Sequence, residues 1–310
     1  MLPMTELTLS PGVMLRVVQT KKFKTSLLAV TFVEPLTAEH AALYALLPKV
    51  LHRGTQTHPD MQALSAALDE LYGGSIQPIL RKKGEVQCIG FWGSFLDEAF
   101  LPAGTSILEE ATALLGELVL APAGERGTFV PAYVDSEKKN LIDQIRAQLN
   151  DKLQYAMARL RGQMCAEEAY GLDKLGTEVQ AKAITGEALY TRYQEMLAQA
   201  PVYLYYCGSA DPARVEAAFR AAFAGLPNGE RRPVPQTQVV NSPAGPVRRF
   251  QDAMDVGQGK LILGFRTGGS FRSQESIARG LLFNAIYGGT TTSKLFLHVR
   301  EKLSLCYFAN

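Results

Sequence analysis

The chain has 310 residues, 47% of them hydrophobic and 20% charged, and its 32 Lys and Arg nearly cancel its 30 Asp and Glu to leave a net charge of +2. That length suits about two domains whose cores need no disulfide or metal to hold them. The balanced charge argues against nucleic acid as a partner, no run approaches the ~18 apolar residues of a membrane helix, and four scattered cysteines without a Cys-x-x-Cys pair argue against a disulfide framework or a zinc cluster.

In chain order, residues 11–18 read as a strand after a short leader. Residues 26–33, nearly all apolar and rich in β-formers, read as a buried second strand. A helix is predicted over 37–51 with Thr37 as its N-cap. Pro48 predicts a kink or an early stop, because it removes an N–H and clashes with the preceding turn. An amphipathic helix follows over 61–72, capped by Asp60 and ended by Gly73-Gly74. Strands over 75–81 and 85–92 form a hairpin through a Lys-Gly turn, with Trp92 in the core. Helical apolar spacing covers 95–120, broken near Pro102, then 133–160 as one long helix, then onward to 198. An aromatic strand over 201–207 precedes a helix over 211–223.

Residues 226–247 change character. Five prolines with polar residues between them make a semi-extended linker. Arg231-Arg232 within it, like Lys21, Lys22 and Lys24, reads as solvated surface. The pattern then restarts with a strand over 259–265, a helix over 273–287, a Gly288-Gly289 break and a helix over 293–302. Strand, helix, glycine break and helix occur in this order in both halves, which predicts an internal repeat. The expected domains are therefore 1–225, a linker over 226–247, and 248–310. Since the second copy is much shorter than the first, the sequence reads as a fragment of a longer chain.

The segment 41–74, AALYALLPKVLHRGTQTHPDMQALSAALDELYGG, resembles the signature region of the insulinase/pitrilysin peptidases. Active members carry His-x-x-Glu-His on this helix, then Arg/Lys-Gly-Thr, a further helix and Gly-Gly. Here Arg53-Gly54-Thr55 and Gly73-Gly74 match in order and spacing. Two histidines four apart on one helical face grip a zinc ion, and the glutamate between them is the general base. Counted back from Arg53, those positions hold Ala45, Pro48 and Lys49. Ala45 has no donor atom, Pro48 is no base, and Lys49 is a cation. The segment 137–144 resembles the family's Glu-rich run, in which a first glutamate is followed seven positions later by the third zinc ligand. Glu137 keeps the first position, and the ligand position is Gln144, a neutral amide.

The run 288–307 resembles the family's second-domain motif: a Gly-rich loop, a helix ending in Arg300-Glu301-Lys302, and Tyr307. The resemblance implies that Arg300 and Tyr307 face substrate. Arg300 would hold the peptide backbone, and Tyr307 would donate to a developing oxyanion. It also implies an α+β, duplicated two-domain metallohydrolase-like fold with helices packed on a mostly antiparallel sheet and an incomplete second domain. The function it implies is that of an inactive, non-zinc-binding subunit of the bacterial mitochondrial-processing-peptidase-like type. Such a chain has no catalytic or metal residues of its own. It works as one half of a heterodimer whose homologous partner brings the zinc, and the scattered cysteines, read as reduced thiols, point to the cytoplasm. The alternative reading is a peptide-binding or scaffold pseudoenzyme with no hydrolytic role.

Other patterns are bland. His40, His52, His58 and His298 form no i, i+4 pair and read as surface or capping residues. Asp69 and Glu70 are adjacent and point to different sides of a helix. Residues 288–294 lack the glycine that a phosphate-binding loop needs before its lysine.

Overall fold

The structure, a computed structural model, describes residues 4–125, 127–236, 245–267 and 273–309. The chain divides into two compact units, Met1–Gly264 and Phe265–Asn310.

The first unit is built on one six-stranded sheet of order β1-β2-β6-β3-β5-β4. Its strands are β1 (Met4–Ser10), β2 (Val13–Gln19), β3 (Thr25–Pro35), β4 (Ser75–Lys83), β5 (Val86–Leu96) and β6 (Val202–Gly208). Only β2 and β6 pair in parallel; the other four neighbouring pairs are antiparallel. β3 lies centrally between β5 and β6, and its burial is nearly continuous, as its unbroken apolar run predicts. The β4–β5 hairpin closes through Gly84, whose φ of 58° is the conformation glycine tolerates best.

The helices are α1 (Ala41–Leu51), α2 (Met61–Glu70), α3 (Leu108–Leu120), α4 (Pro131–Ala147), α5 (Lys152–Met164), α6 (Glu178–Ala183), α7 (Gly186–Gln199) and α8 (Pro212–Ala222). α1 packs over β4 and β5, α3 over β3 and β5, and α8 over β1 and β2, while α4 and α7 pack against α1. One main apolar core joins these layers through Leu15, Val30, Phe32, Leu46, Phe91, Leu115, Leu204 and Phe219, among others. This is the expected α+β arrangement of helices on a mostly antiparallel sheet.

Several local expectations are corrected. The leader is a strand, β1, paired along β2. Thr37 does not cap α1: its Oγ1 accepts from His40 N at 3.2 Å in a turn that precedes the helix, and His40 is the N-cap residue. Pro48 does not stop α1 early. It lies inside the last turn, where its carbonyl still accepts from His52 N at 3.1 Å, and the helix ends at Leu51. Residues 95 and 96 belong to β5, and α3 starts only at Leu108. There Glu98 Oε1 accepts from the backbone N–H groups of Ile107 and Leu108 at 2.8 and 3.0 Å, a cap supplied from upstream. The long helix over 133–160 is two helices, because Asp151 Oδ1 accepts from the N–H groups of Leu153 and Gln154 and so starts α5 anew. Trp92 is half-buried rather than deep in the core.

The start of the proline-rich segment is fastened, not solvated. Arg231 is 8% exposed and its guanidinium donates to the carbonyls of Leu197, Ala200 and Pro227. Arg232 pairs with Glu34, which is 1% exposed. Burial raises the Glu34 pKa above the usual carboxylate value, against the opposing charge of Arg232. Val234 packs on Val33, Val86 and Cys88. Residues 237–244 of this segment lie outside the described residues.

The predicted strand over 259–265 forms no ladder among the described residues, and Leu261 and Phe265 are 81% and 78% exposed. A strand needs a neighbour for its N–H and C=O groups, and an apolar run alone does not provide one. The second unit holds α9 (Gln274–Tyr287), started by a Ser273–Ser276 capping box, and a π-helical stretch over Phe296–Lys302.

Candidate functional site

The residues singled out at 45, 48, 49 and 144 sit on two helices that pack together. Ala45 and Lys49 are one turn apart on α1 and so share a face. Ala45 is fully buried, and Lys49 is half-buried at the helix end. Gln144 lies on α4, 95 positions further along, and Lys49 Nζ donates to its Oε1 at 2.6 Å. The two positions therefore meet head to head. Burial lowers the Lys49 pKa, and the Glu137 charge opposes that shift.

One stripe of α4 carries Gln144 together with its polar neighbours. Tyr133, Glu137, Asn140 and Gln144 are spaced i, i+4, i+7 and i+11, the apolar-stripe period of a helix used here for polar groups. Glu137 is 9% exposed and accepts from Arg53 Nη1 at 3.1 Å and from Asn140 Nδ2 at 3.2 Å. The Arg53 guanidinium stands 5.2 Å from the centroid of the Tyr133 ring. Tyr133 in turn donates its O–H to Pro59 O at 2.8 Å.

The Arg53-Gly54-Thr55 motif gains a physical meaning from this. Arg53 ties the end of α1 to α4. Thr55 Oγ1 donates to Glu117 Oε1 at 2.6 Å and accepts from His58 N at 2.8 Å, fixing the turn to α3. A Cβ on Gly54 would stand 2.4 Å from Pro59 O and 2.6 Å from its carbonyl carbon. Gly54→Ala is therefore expected to push this turn off α3 and α4 and to cost about 2 kcal/mol. A urea melt checks this; an unchanged midpoint would show that the turn relaxes freely.

The histidines take separate structural places. His52 donates Nε2–H to Ile76 O at 2.8 Å and stacks on Phe91, and burial lowers its pKa. His58 Nδ1 lies 3.3 Å from Glu117 Oε2. A methyl group, a pyrrolidine ring, an ammonium and an amide do not make a zinc donor set, which needs imidazole, thiolate or carboxylate groups. Among the described residues no group of three His, Cys, Asp or Glu is gathered that could hold a metal ion.

Arg300 and Tyr307 lie in the second unit, and they too are brought together. The Arg300 guanidinium stands 4.5 Å from the Phe296 ring centroid and 5.4 Å from that of Tyr307. Tyr307 is 82% exposed. Sequence reasoning missed the Arg53–Glu137 pair and the direct Lys49–Gln144 bond. The polar i, i+4, i+7, i+11 stripe on α4 marks the face that makes these bonds but does not name its partners, 84 and 95 positions away.

A six-stranded, mostly antiparallel sheet layered with helices, two of which meet at the positions singled out in the sequence, is the architecture of the zinc-peptidase fold that the resemblance implies. The chain belongs to the M16, or insulinase/pitrilysin, peptidase family, as an inactive member. Residues 183–310 match the model of the Peptidase M16 inactive domain. The chain is 38% identical over 301 residues to the probable inactive metalloprotease YmfF of Bacillus subtilis strain 168, covering 96% of this chain and 69% of that protein. Among solved structures it resembles a conserved protein from Enterococcus faecalis V583, with a TM-score of 0.82 and 26% identity over 98% of this chain and 71% of that one. It also resembles a peptidase M16 inactive domain from Pseudomonas fluorescens, with a TM-score of 0.71 and 18% identity over 99% of this chain and 70% of that one.

Proposed function

We propose that this chain is the non-catalytic subunit of a heterodimeric zinc peptidase: it shapes the chamber and binds substrate peptide, while a homologous subunit brings the zinc. The observation that carries the reading is the Lys49–Gln144 hydrogen bond. It closes the gap between α1 and α4 with an ammonium and an amide, where the family resemblance puts two zinc ligands. The helices stay packed, so the scaffold of the site is kept while its chemistry is gone. Arg300 and Tyr307, whose guanidinium and ring stand 5.4 Å apart, supply the peptide-facing donors in this reading. Among the described residues no disulfide is formed, which suits a reducing cytoplasm. Among the described residues no helix is long and apolar enough to cross a membrane.

The test is peptide hydrolysis by the purified chain alone, by a zinc-bearing M16 homologue from the same genome alone, and by the two mixed. The expected result is cleavage only on mixing, abolished by a chelator. Arg300→Ala or Tyr307→Phe in this chain should lower that rate about 100-fold, the scale of losing one oxyanion donor. A homologue that cleaves equally well without this chain would overturn the subunit reading. If this chain still captured peptide in that case, the scaffold reading would take its place.

A further inference from the structure

The vacated ligand positions are not inert. Lys49 spends one of its three N–H donors on Gln144 Oε1, and its side chain is half-buried. Accepting that bond with its oxygen leaves the Gln144 amide nitrogen, with two further donors, on an exposed side chain. The Glu137 carboxylate acts on the ammonium from nearby. Glu137 is already engaged by Arg53 and Asn140, so Lys49, Arg53 and Glu137 together leave the site one positive charge in excess. An excess positive charge with unspent N–H donors calls for an anionic acceptor.

We infer that Lys49 and Gln144 form a donor pair that binds a carboxylate of a bound peptide. This rests on the peptide-binding function proposed above and names the group that site takes. The carboxylate accepts from Lys49 Nζ and from Gln144 Nε2, donors of two side chains that the Lys49–Gln144 bond keeps next to each other. The lysine thus supplies, as a fixed cation, the positive charge that a metal supplies in active relatives. It does so without activating water, so peptide is held and not cut. The carboxylate can come from the peptide's C-terminus or from an Asp or Glu side chain.

The experiment is a fluorescence-anisotropy titration of the 310-residue chain with three pools of fluorescein-labelled decapeptides of randomised sequence. One pool has free C-termini, the second is amidated, and the third has free C-termini but no Asp or Glu. Lys49→Met keeps the aliphatic stem and removes the charge. It should weaken binding of the first pool about tenfold or more, the scale of one charge-assisted hydrogen bond. Lys49→Arg, which keeps charge and donors, should bind within about twofold of the natural chain, and matching thermal melts for the three proteins exclude a folding defect. Loss of binding on amidation assigns the C-terminus; loss only in the third pool assigns acidic side chains. Equal binding by the natural chain and Lys49→Met overturns this inference and leaves peptide binding standing. No binding of any pool at protein concentrations up to ~1 mM overturns the peptide-binding function itself and the inference with it.

Discussion

Replacing Ala45 and Lys49 by His and Gln144 by Glu is expected to turn this chain into a zinc protein that takes up one ion with a Kd of about 1 µM or tighter. Positions 45 and 49 share one face of α1, so two imidazoles there converge as the His-x-x-x-His half of a site does. Position 144 already reaches position 49 across the helix pair at 2.6 Å, so the two side chains need draw apart only to the roughly 3.4 Å that separates two ligand atoms on a tetrahedral ion with bonds of about 2.0–2.2 Å. The cost sits at Ala45. It is fully buried, so an imidazole overpacks the core by about 1–3 kcal/mol. The metal-free variant should therefore melt lower than the natural chain, and zinc should raise its melting temperature, because an ion bound only by the folded state stabilises that state. Metal analysis after dialysis and a thermal melt with and without zinc read both effects. A folded triple variant that takes up no zinc would show that these positions do not converge, and would remove the main support for reading them as lost ligands.

That the chain is an inactive member of its family was legible in the sequence, because the resemblance is a matter of residue types at fixed spacing. The contacts made at the positions singled out were not. Lys49 and Gln144 each read as an absent ligand, yet their bond spans 95 positions and exists only once α1 and α4 pack. The same limit hid Glu34, whose partner Arg232 lies 198 positions away. Two adjacent arginines in a proline-rich stretch carry no periodicity, so composition placed them in solvent. Elements set by local rules fared better. Asp60 caps α2 as read, through its Oδ1 and Ala63 N at 2.8 Å, and the hairpin turns at Gly84. Residues 259–265 show the converse error: an apolar β-forming run was read as a strand, although pairing is a property of two segments and not of one.

Arg232→Ala is expected to destabilise the first unit by about 3 kcal/mol at pH 7, because it leaves the buried Glu34 carboxylate without its ion-pair partner, with only the Tyr44 hydroxyl and the Arg192 charge left to favour it. Arg232 Nη2 donates to both carboxylate oxygens of Glu34 at 2.8 Å, and Glu34 is 1% exposed. The arginine side chain is 40% exposed, which puts the loss at the lower end of the range for buried pairs. Glu34→Gln should rescue the variant, since a neutral amide does not need the missing cation; the double variant should be more stable than Arg232→Ala alone. The defect should also depend on pH in a defined sense. Burial, opposed by Arg232, already raises the Glu34 pKa in the folded chain. A carboxylate raised in this way gives its full stability below its unfolded value of about 4.3, and that stability is lost as the pH rises through the folded value. Removing Arg232 raises the folded value further and widens the window of loss. Urea melts of the variant should therefore lie near the natural chain at pH 4 and fall progressively below it toward pH 7. A defect of the same size at both pH values would mean that Arg232 holds the 226–236 segment by the packing of its stem, and that Glu34 is indifferent to its charge.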